Sequence, residues 1–394
     1  IPLKDEEQYQ IRRLLDSVNK KLRRVKLFLT ATNCCGVDGR TSMFDEPGVI
    51  NPLQSGDVGE VDCVDIYKQP AFDHPLLKNH KIQMHPSFST GRMTSKVFSK
   101  SQLVDISCPQ GMVPIQRTKV DQGQTHDLKS FSEFHGGSFN TFATKKFPSE
   151  NASLYTMGVA TYHGARAKIM VNNPHVDNRQ YSKAQIWVQN GPEADTNSIE
   201  VGWAVHPALY GDNRTRLTAY WTADGYKKTG CYNALCPGFV QVHPQYFLGG
   251  SFPNISVYNG QQYGFDLAIS QDQSTGNWWL TLDSYQLGYW PKKILTHLAT
   301  GASSVQYGGA TFSPPDVHTP VPMGNGFLPS FVPNRAGLFE HIQIINAQNQ
   351  MVDTNSEMLG PFYDVGAQCY RLDFFSTSFL GQALSFGGPG GVCP

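Results

Sequence analysis

The sequence predicts a mainly β protein built around an antiparallel β-sandwich. Short segments that alternate apolar and polar residues recur along the chain, glycine-rich turns separate them, and helical periodicity is scarce. At 394 residues the chain exceeds one ordinary domain and can bury a sizeable core. Its 37 glycines and 12% aromatic content beside only 16% charged residues suit a large all-β protein. Lys and Arg number 32 against 32 Asp and Glu, so the balance points to neither nucleic acid nor an anionic membrane surface as partner. No apolar run reaches the roughly 18 residues that a membrane span needs.

The stretch Thr196 to Gln241 organises the rest. Ser198 to Val205 sets Ile199, Val201 and Trp203 on one face and Ser198, Glu200, Gly202 and Ala204 on the other, the period of a strand. Glu200 therefore points away from the apolar face. After the turn Gly211-Asp212-Asn213, Leu217, Ala219 and Trp221 alternate against Arg216, Thr218 and Tyr220. The loop CYNALC follows, and Cys231 and Cys236 are close enough in sequence to close a small ring at a strand end. A carboxylate in mid-strand beside large apolar residues reads either as a surface glutamate on a half-exposed sheet or as a functional group.

Taken in order, Asp5 to Leu29 places Ile11, Leu14, Leu15, Val18, Leu22, Val25 and Leu29 at three- and four-residue steps, the stripe of an amphipathic helix. Acidic residues open it and Lys20 to Lys26 close it, complementing the helix dipole. Residues 33–57 read as loop. Val120 to Ser149 is polar and rich in Gly, Ser and Lys, a linker and a site open to processing. From Leu154 onward strand follows strand. In SKAQIWVQN, Lys183, Gln185, Trp187 and Gln189 alternate against Ala184, Ile186 and Val188, and a turn over Gly191 to Thr196 joins this segment to the Glu200 strand as a hairpin. Across that hairpin Gln185 is expected opposite Glu200, its amide beside the carboxylate. Further strands are expected at Gly238 to Gln241, Ser251 to Tyr258, Gly264 to Ser270, Asn277 to Ser284 and Leu338 to Ile345, with a Pro-led helical turn after Trp290.

Eight cysteines and the sequons at Asn151, Asn213 and Asn254 favour the secretory pathway and an extracellular or vacuolar destination. The chain opens IPLKDEEQ without a charged-then-apolar leader, so a secretory signal has been removed or none existed. Asp73, His74, His80 and His85 are interrupted by Pro75 and Pro86, and no C-x-x-C or H-E-x-x-H spacing appears, so no metal and no other cofactor is expected. Cys34 and Cys35 are adjacent and cannot easily bridge each other; their partners lie in the amino-terminal region or in another chain.

The segment NSIEVGWAVHPALYGDNRTRLTAYWTADGYKKTGCYNALCPGFVQ closely resembles the signature of the neprosin family, secreted plant glutamic peptidases that cut at proline. The glutamate of I-E-x-G-W is catalytic in that family, which implies the role for Glu200. DCVDIYKQPAFDHPLLKNHKIQMHPSF and CPQGMVPIQRTK resemble the family's amino-terminal activation domain. The resemblance runs from about Asp57 to Pro394. It implies a smaller α+β activation domain over residues 1–120, a linker over 121–149 and the sandwich over 150–394, with a cleft along one sheet. It also implies disulfides Cys231–Cys236 and Cys369–Cys393, to which we add Cys63–Cys108. Gln185, Tyr220 and Tyr307 are the candidate substrate-binding side chains. The expected partner is a proline-rich peptide or a small-molecule substrate, and the chain is expected to be a monomer.

Family members carry a second catalytic glutamate in W-G-G-E, and an H-T-x-x-Q-M-G-x-G segment beyond it. Here the first reads Tyr307-Gly308-Gly309-Ala310 and the second places Pro322 before Met323. Ala310 thus stands at the second glutamate's position. A carboxylate pair works because one ionised member activates water while the other, kept protonated by its neighbour, donates a proton. Alanine does neither.

Three readings follow: a catalytic glutamate replaced to trap a precursor, a natural inactive relative that binds proline-rich ligand, or a cleft reused for acid-base cyclisation or isomerisation of a small plant metabolite by Glu200 alone. Tyr307 and Pro322 are further departures that a single replacement does not produce. Glu340, beside His341, is the candidate for a replacement carboxylate. The amino-terminal domain is expected to dock on the sandwich, with the linker passing near the Glu200 face and masking it.

Overall fold

The computed structural model describes residues 49–50, 61–87, 103–117, 149–364 and 369–391. The helix expected over 5–29, Cys34, Cys35, Cys393 and the linker as far as residue 148 lie outside them. The chain divides into two compact units, Ile1–Pro47 and Gly48–Pro394, and all described residues belong to the second.

Nineteen strands are seen among the described residues, all paired antiparallel. A small sheet orders β1 (Val49–Ile50), β2 (Val61–Asp65) and β3 (Met112–Gln116). The first large sheet has seven strands. These are β4 (Ser149–Thr156), β6 (Tyr181–Asn190), β7 (Asn197–Val205), β8 (Thr215–Thr222), β9 (Cys231–Tyr232), β14 (Ser304–Phe312) and β17 (Leu359–Tyr363), in the order β17-β4-β14-β6-β7-β8-β9.

The second large sheet has nine strands. It contains β5 (Tyr162–Met170), β10 (Val240–Gln241), β11 (Gly264–Gln271), β12 (Trp278–Leu282), β13 (Tyr285–Trp290), β15 (Gly337–Asn346), β16 (Met351–Asp353), β18 (Arg371–Thr377) and β19 (Gly381–Gly387). Its order is β10-β13-β12-β11-β5-β15-β19-β18, with β16 on β15. The region expected as a strand at Ser251 to Tyr258 is not one. Ser251 makes a single bridge to Arg216, after which Pro253 lacks a donor and the turn at Asn259-Gly260 redirects the chain.

The core lies between the two large sheets, and strand alternation decides who enters it. Ile199, Val201 and Trp203 of β7 and Ile186 and Val188 of β6 meet Ala165, Ala167 and Ile169 of β5 and Leu267 and Ile269 of β11. Each large apolar side chain buried this way contributes roughly 1.5 to 3 kcal/mol. Trp203 also ties one sheet to the other, its indole Nε1 donating to the Met170 carbonyl at 2.9 Å.

The amino-terminal strands are stapled by Cys63–Cys108 and pack into the same compact unit as the sandwich. Gln69 exchanges hydrogen bonds with the Gln241 backbone at 2.7 and 3.0 Å, and His80 meets the Tyr289 hydroxyl at 2.7 Å. Asp272 accepts from Gln83 Nε2 at 2.7 Å and from both the backbone and the hydroxyl of Ser87 at 2.6 Å. These contacts fall on β10, β13 and the loop after β11. All of them are on the nine-stranded sheet, away from Glu200.

Candidate active site

One face of the seven-stranded sheet builds the core, so the alternate residues face the other way. On that second face Lys183, Gln185, Trp187, Glu200, Gln306 and Ala310 line a single cleft of about 470 Å³, which Tyr226, Asn151 and Phe362 help to wall. Glu200 is buried in it at 5% exposure. Gln185 Nε2 donates to Glu200 Oε2 at 2.8 Å, while Oε1 accepts from the Tyr226 hydroxyl at 2.5 Å and from Ser198 Oγ at 3.4 Å.

The partnership with Gln185 is diagonal, not the directly opposed pair expected from the sequence. Glu200 sits directly opposite Trp187, and Gln185 opposite Gly202. Residues two apart on one strand share a face, so the long amide spans the diagonal. Gly202 makes this approach feasible: a Cβ there would lie 1.9 Å from the Ala184 carbonyl oxygen and 2.6 Å from Gln185 Cα.

Tyr226 is a site residue that strand reasoning missed. It sits in the turn after β8, at the left-handed φ of 63°. The Asp224 carboxylate holds this turn by accepting from the backbone of Lys227, Lys228 and Thr229 at 3.1, 2.9 and 3.0 Å. The Asp224-Gly225 pair is a turn signal from which this bend could have been read, though not where the Tyr226 ring reaches. Tyr220, directly opposite Glu200 on β8, stacks on Tyr226 at 6.1 Å between ring centroids and stands behind it.

Lys183 was legible as a residue of the Glu200 face and was not singled out. It pairs with Ala310 in the β6–β14 register. Its side chain is buried, with Nζ 3.1 Å from the Tyr232 hydroxyl and 4.4 Å above the Tyr181 ring. Burial lowers the Lys183 pKa to about 8, against the pull of the Glu200 carboxylate. Burial likewise raises the Glu200 pKa above the usual carboxylate range, opposed by Lys183 and by the hydrogen bonds from Tyr226, Gln185 and Ser198.

Two expected placements are corrected. Tyr307 is not in the cleft: it is one residue out of phase with Gln306 and three with Ala310, so it enters the core, where its hydroxyl donates to the Gln343 carbonyl at 2.7 Å. Glu340 is no replacement carboxylate, because it lies on β15 of the nine-stranded sheet and pairs with Lys168 at 3.1 Å. Its neighbour His341 is exposed.

The disulfide Cys231–Cys236 is formed, and Cys369 is disulfide-bonded with its partner outside the described residues. Asn213 and Asn254 are exposed, whereas Asn151 lies on β4 in the cleft wall and donates its amide to Asp364 at 2.5 Å. Among the described residues no three His, Cys, Asp or Glu side chains converge as a metal site.

A family model, Neprosin, matches residues 178–389, which is more than half of the chain. The chain belongs to the neprosin family. A second model, Neprosin activation peptide, matches residues 53–138. Among solved structures, scytalido-glutamic peptidase with a transition state analog inhibitor and with a peptide based transition state analog are both similar at 10% identity. Each match covers 62% of this chain and 98% of the other, with TM-scores of 0.34 and 0.33. CG-16, a homodimeric agglutinin from chicken liver, matches at 10% identity over 41% of this chain and 92% of its own, with a TM-score of 0.23.

In this neprosin-family chain the raised Glu200 pKa has a consequence for stability. Below the unfolded glutamate pKa of about 4.3 both states are protonated and folding incurs no penalty from this group. As pH rises through the higher folded pKa, the buried site must ionise and stability is lost. Glu200→Gln is therefore expected to raise the thermal midpoint at pH 7, with the gain closing as pH falls towards 4. Thermal melts across that range check it; a midpoint lowered at pH 7 contradicts the burial argument.

Proposed function

We propose that this chain is a secreted neprosin-type protein whose cleft holds an extended, proline-containing ligand at Glu200, and in which peptide cleavage is lost or strongly weakened. The observation that carries this reading is the cleft's carboxylate count: among the described residues lining it, Glu200 is the single acid. Amide hydrolysis needs a base to activate water and an acid to protonate the departing nitrogen. Gln185 can polarise a carbonyl through its amide, but it exchanges no proton at neutral pH. Loss of such acid-base help costs about a hundred- to ten-thousandfold in rate. The disulfides and the exposed Asn213 and Asn254 sequons support passage through the secretory pathway.

A second reading, in which Glu200 rearranges a small plant metabolite by acid-base cyclisation or isomerisation, is favoured by the burial that raises the Glu200 pKa and suits a lone carboxyl to proton transfer. Incubating the purified chain with a proline-rich peptide at pH 4 and pH 7 tests the first reading. Calorimetry should report saturable binding, and mass spectrometry should find the peptide intact. Efficient cutting at proline, or no binding, overturns it.

A further inference from the structure

We propose that Asn151 gives the cleft a subsite for one backbone N–H of an extended peptide, with its side-chain amide oxygen as the acceptor, so that the ligand residue docked there is not proline. The inference rests on the reading that this cleft holds a proline-containing peptide, and it names the place in that peptide from which proline is excluded.

Asn151 lies on β4 directly across from Ala310 of β14, and both line the cleft. The other side of β4 carries β17, whose pairing sets Tyr363 against Ala152. One residue further on, Asp364 donates its backbone N–H to the Asn151 carbonyl at 3.1 Å. Its Oδ2 accepts in return from the Asn151 backbone N–H at 3.1 Å and from Asn151 Nδ2 at 2.5 Å.

That contact decides which way the amide faces. A carboxylate accepts and does not donate, so the nitrogen of the Asn151 amide, and not its oxygen, turns to Asp364. β17 and β14 flank β4 on opposite sides, so a nitrogen drawn towards β17 leaves Oδ1 turned back towards Ala310. Among the described residues Oδ1 accepts no hydrogen bond, and it is open rather than enclosed. The Ala310 methyl group leaves room in front of it. Gln306 and Gln189 differ in this respect. Their amides engage one another at 2.8 Å, Gln306 Oε1 accepts from Ser153 Oγ at 3.2 Å, and Gln189 Nε2 donates to Ser198 Oγ at 3.2 Å.

An acceptor held in place calls for a donor. In an extended peptide the backbone N–H recurs at every residue except proline, which has none. A ligand that set proline against Asn151 would displace water from Oδ1 and supply no hydrogen bond in exchange. Proline-containing peptides therefore bind in registers that place another residue there.

The test is calorimetry on the full chain, made in a host that forms disulfides and adds no N-glycan, so that Nδ2 of the Asn151 sequon stays free. The probes are acetyl-Ala-Ala-Pro-Ala-Ala-amide and the four peptides that carry an N-methyl group on one alanine each. At least one of the four should bind about tenfold more weakly than the parent, the loss expected when a neutral acceptor goes unpaired.

That loss should vanish in Asn151→Leu, which keeps the volume and removes the acceptor. It should fall in Asp364→Ala, which leaves Asn151 in place and frees its amide to turn; this variant serves if Asn151→Leu does not fold. A merely structural Asp364 would weaken all the peptides alike and leave their ratio unchanged. Peptides that bind but lose nothing on N-methylation, or a loss kept in full by either folded variant, overturn the proposal while the reading of a peptide-binding cleft stands. No binding of any of the peptides overturns that reading and the proposal with it.

Discussion

The double variant Ala310→Glu, Lys183→Ser is expected to cut proline-containing peptides at acid pH at least about a hundredfold faster than the unsubstituted chain, with about ten-thousandfold as the upper end. Position 310 lines the same cleft as Glu200, so a glutamate there puts a second carboxylate into the site. The two acids would then divide the work, one ionised and one protonated, because like charges in a poorly solvated cleft do not both ionise easily.

Both substitutions are needed, since Lys183 lies directly across from residue 310 and would capture a new carboxylate as an ion pair. That pair would hold the acid ionised and remove the proton donor. Ala310→Glu alone is accordingly expected to gain much less than the double variant. Peptide digestion followed by mass spectrometry checks the order. A folded double variant that cleaves nothing would separate this cleft from glutamic-peptidase chemistry altogether.

Gly202→Ala is expected to destabilise the protein by about 3 kcal/mol or more, at the upper end for inserting a methyl group into a filled interior. The new Cβ would meet backbone, 1.9 Å from the Ala184 carbonyl oxygen, and no rotamer change relieves that. β6 and β7 would have to part where Gln185 crosses to Glu200. Thermal melting should show a large drop in midpoint, and any surviving fold should lose the 2.8 Å bond that orients the carboxylate. A variant that melts within a degree of the parent would mean that the two strands are not packed as described.

The period-two pattern of residues 198–205 was enough to place Ile199, Val201 and Trp203 inside and Glu200 on the opposite face, and β7 does so. The hairpin through Gly191 to Thr196 and the Cys231–Cys236 ring were legible for the same reason: each depends on residues close in the chain. The register was legible too: a turn over Gly191 to Thr196 pairs Asn190 with Asn197 and hence Trp187 with Glu200, as the strands do, so the expectation of Gln185 opposite Glu200 lay two residues off that count.

What the sequence by itself determined about this protein is its class, its strand faces and the placing of Glu200 away from the core. Those follow from alternation, which each strand carries within itself. Only the tertiary structure decided that Lys183 stands across from Ala310, that Tyr226 closes on Glu200 from a turn, that Tyr307 points into the core, and that Glu340 belongs to the other sheet. Those facts depend on which strands become neighbours and in what register. A slip of one residue exchanges core for cleft, and a slip of two exchanges one partner for the next, while the local pattern stays the same.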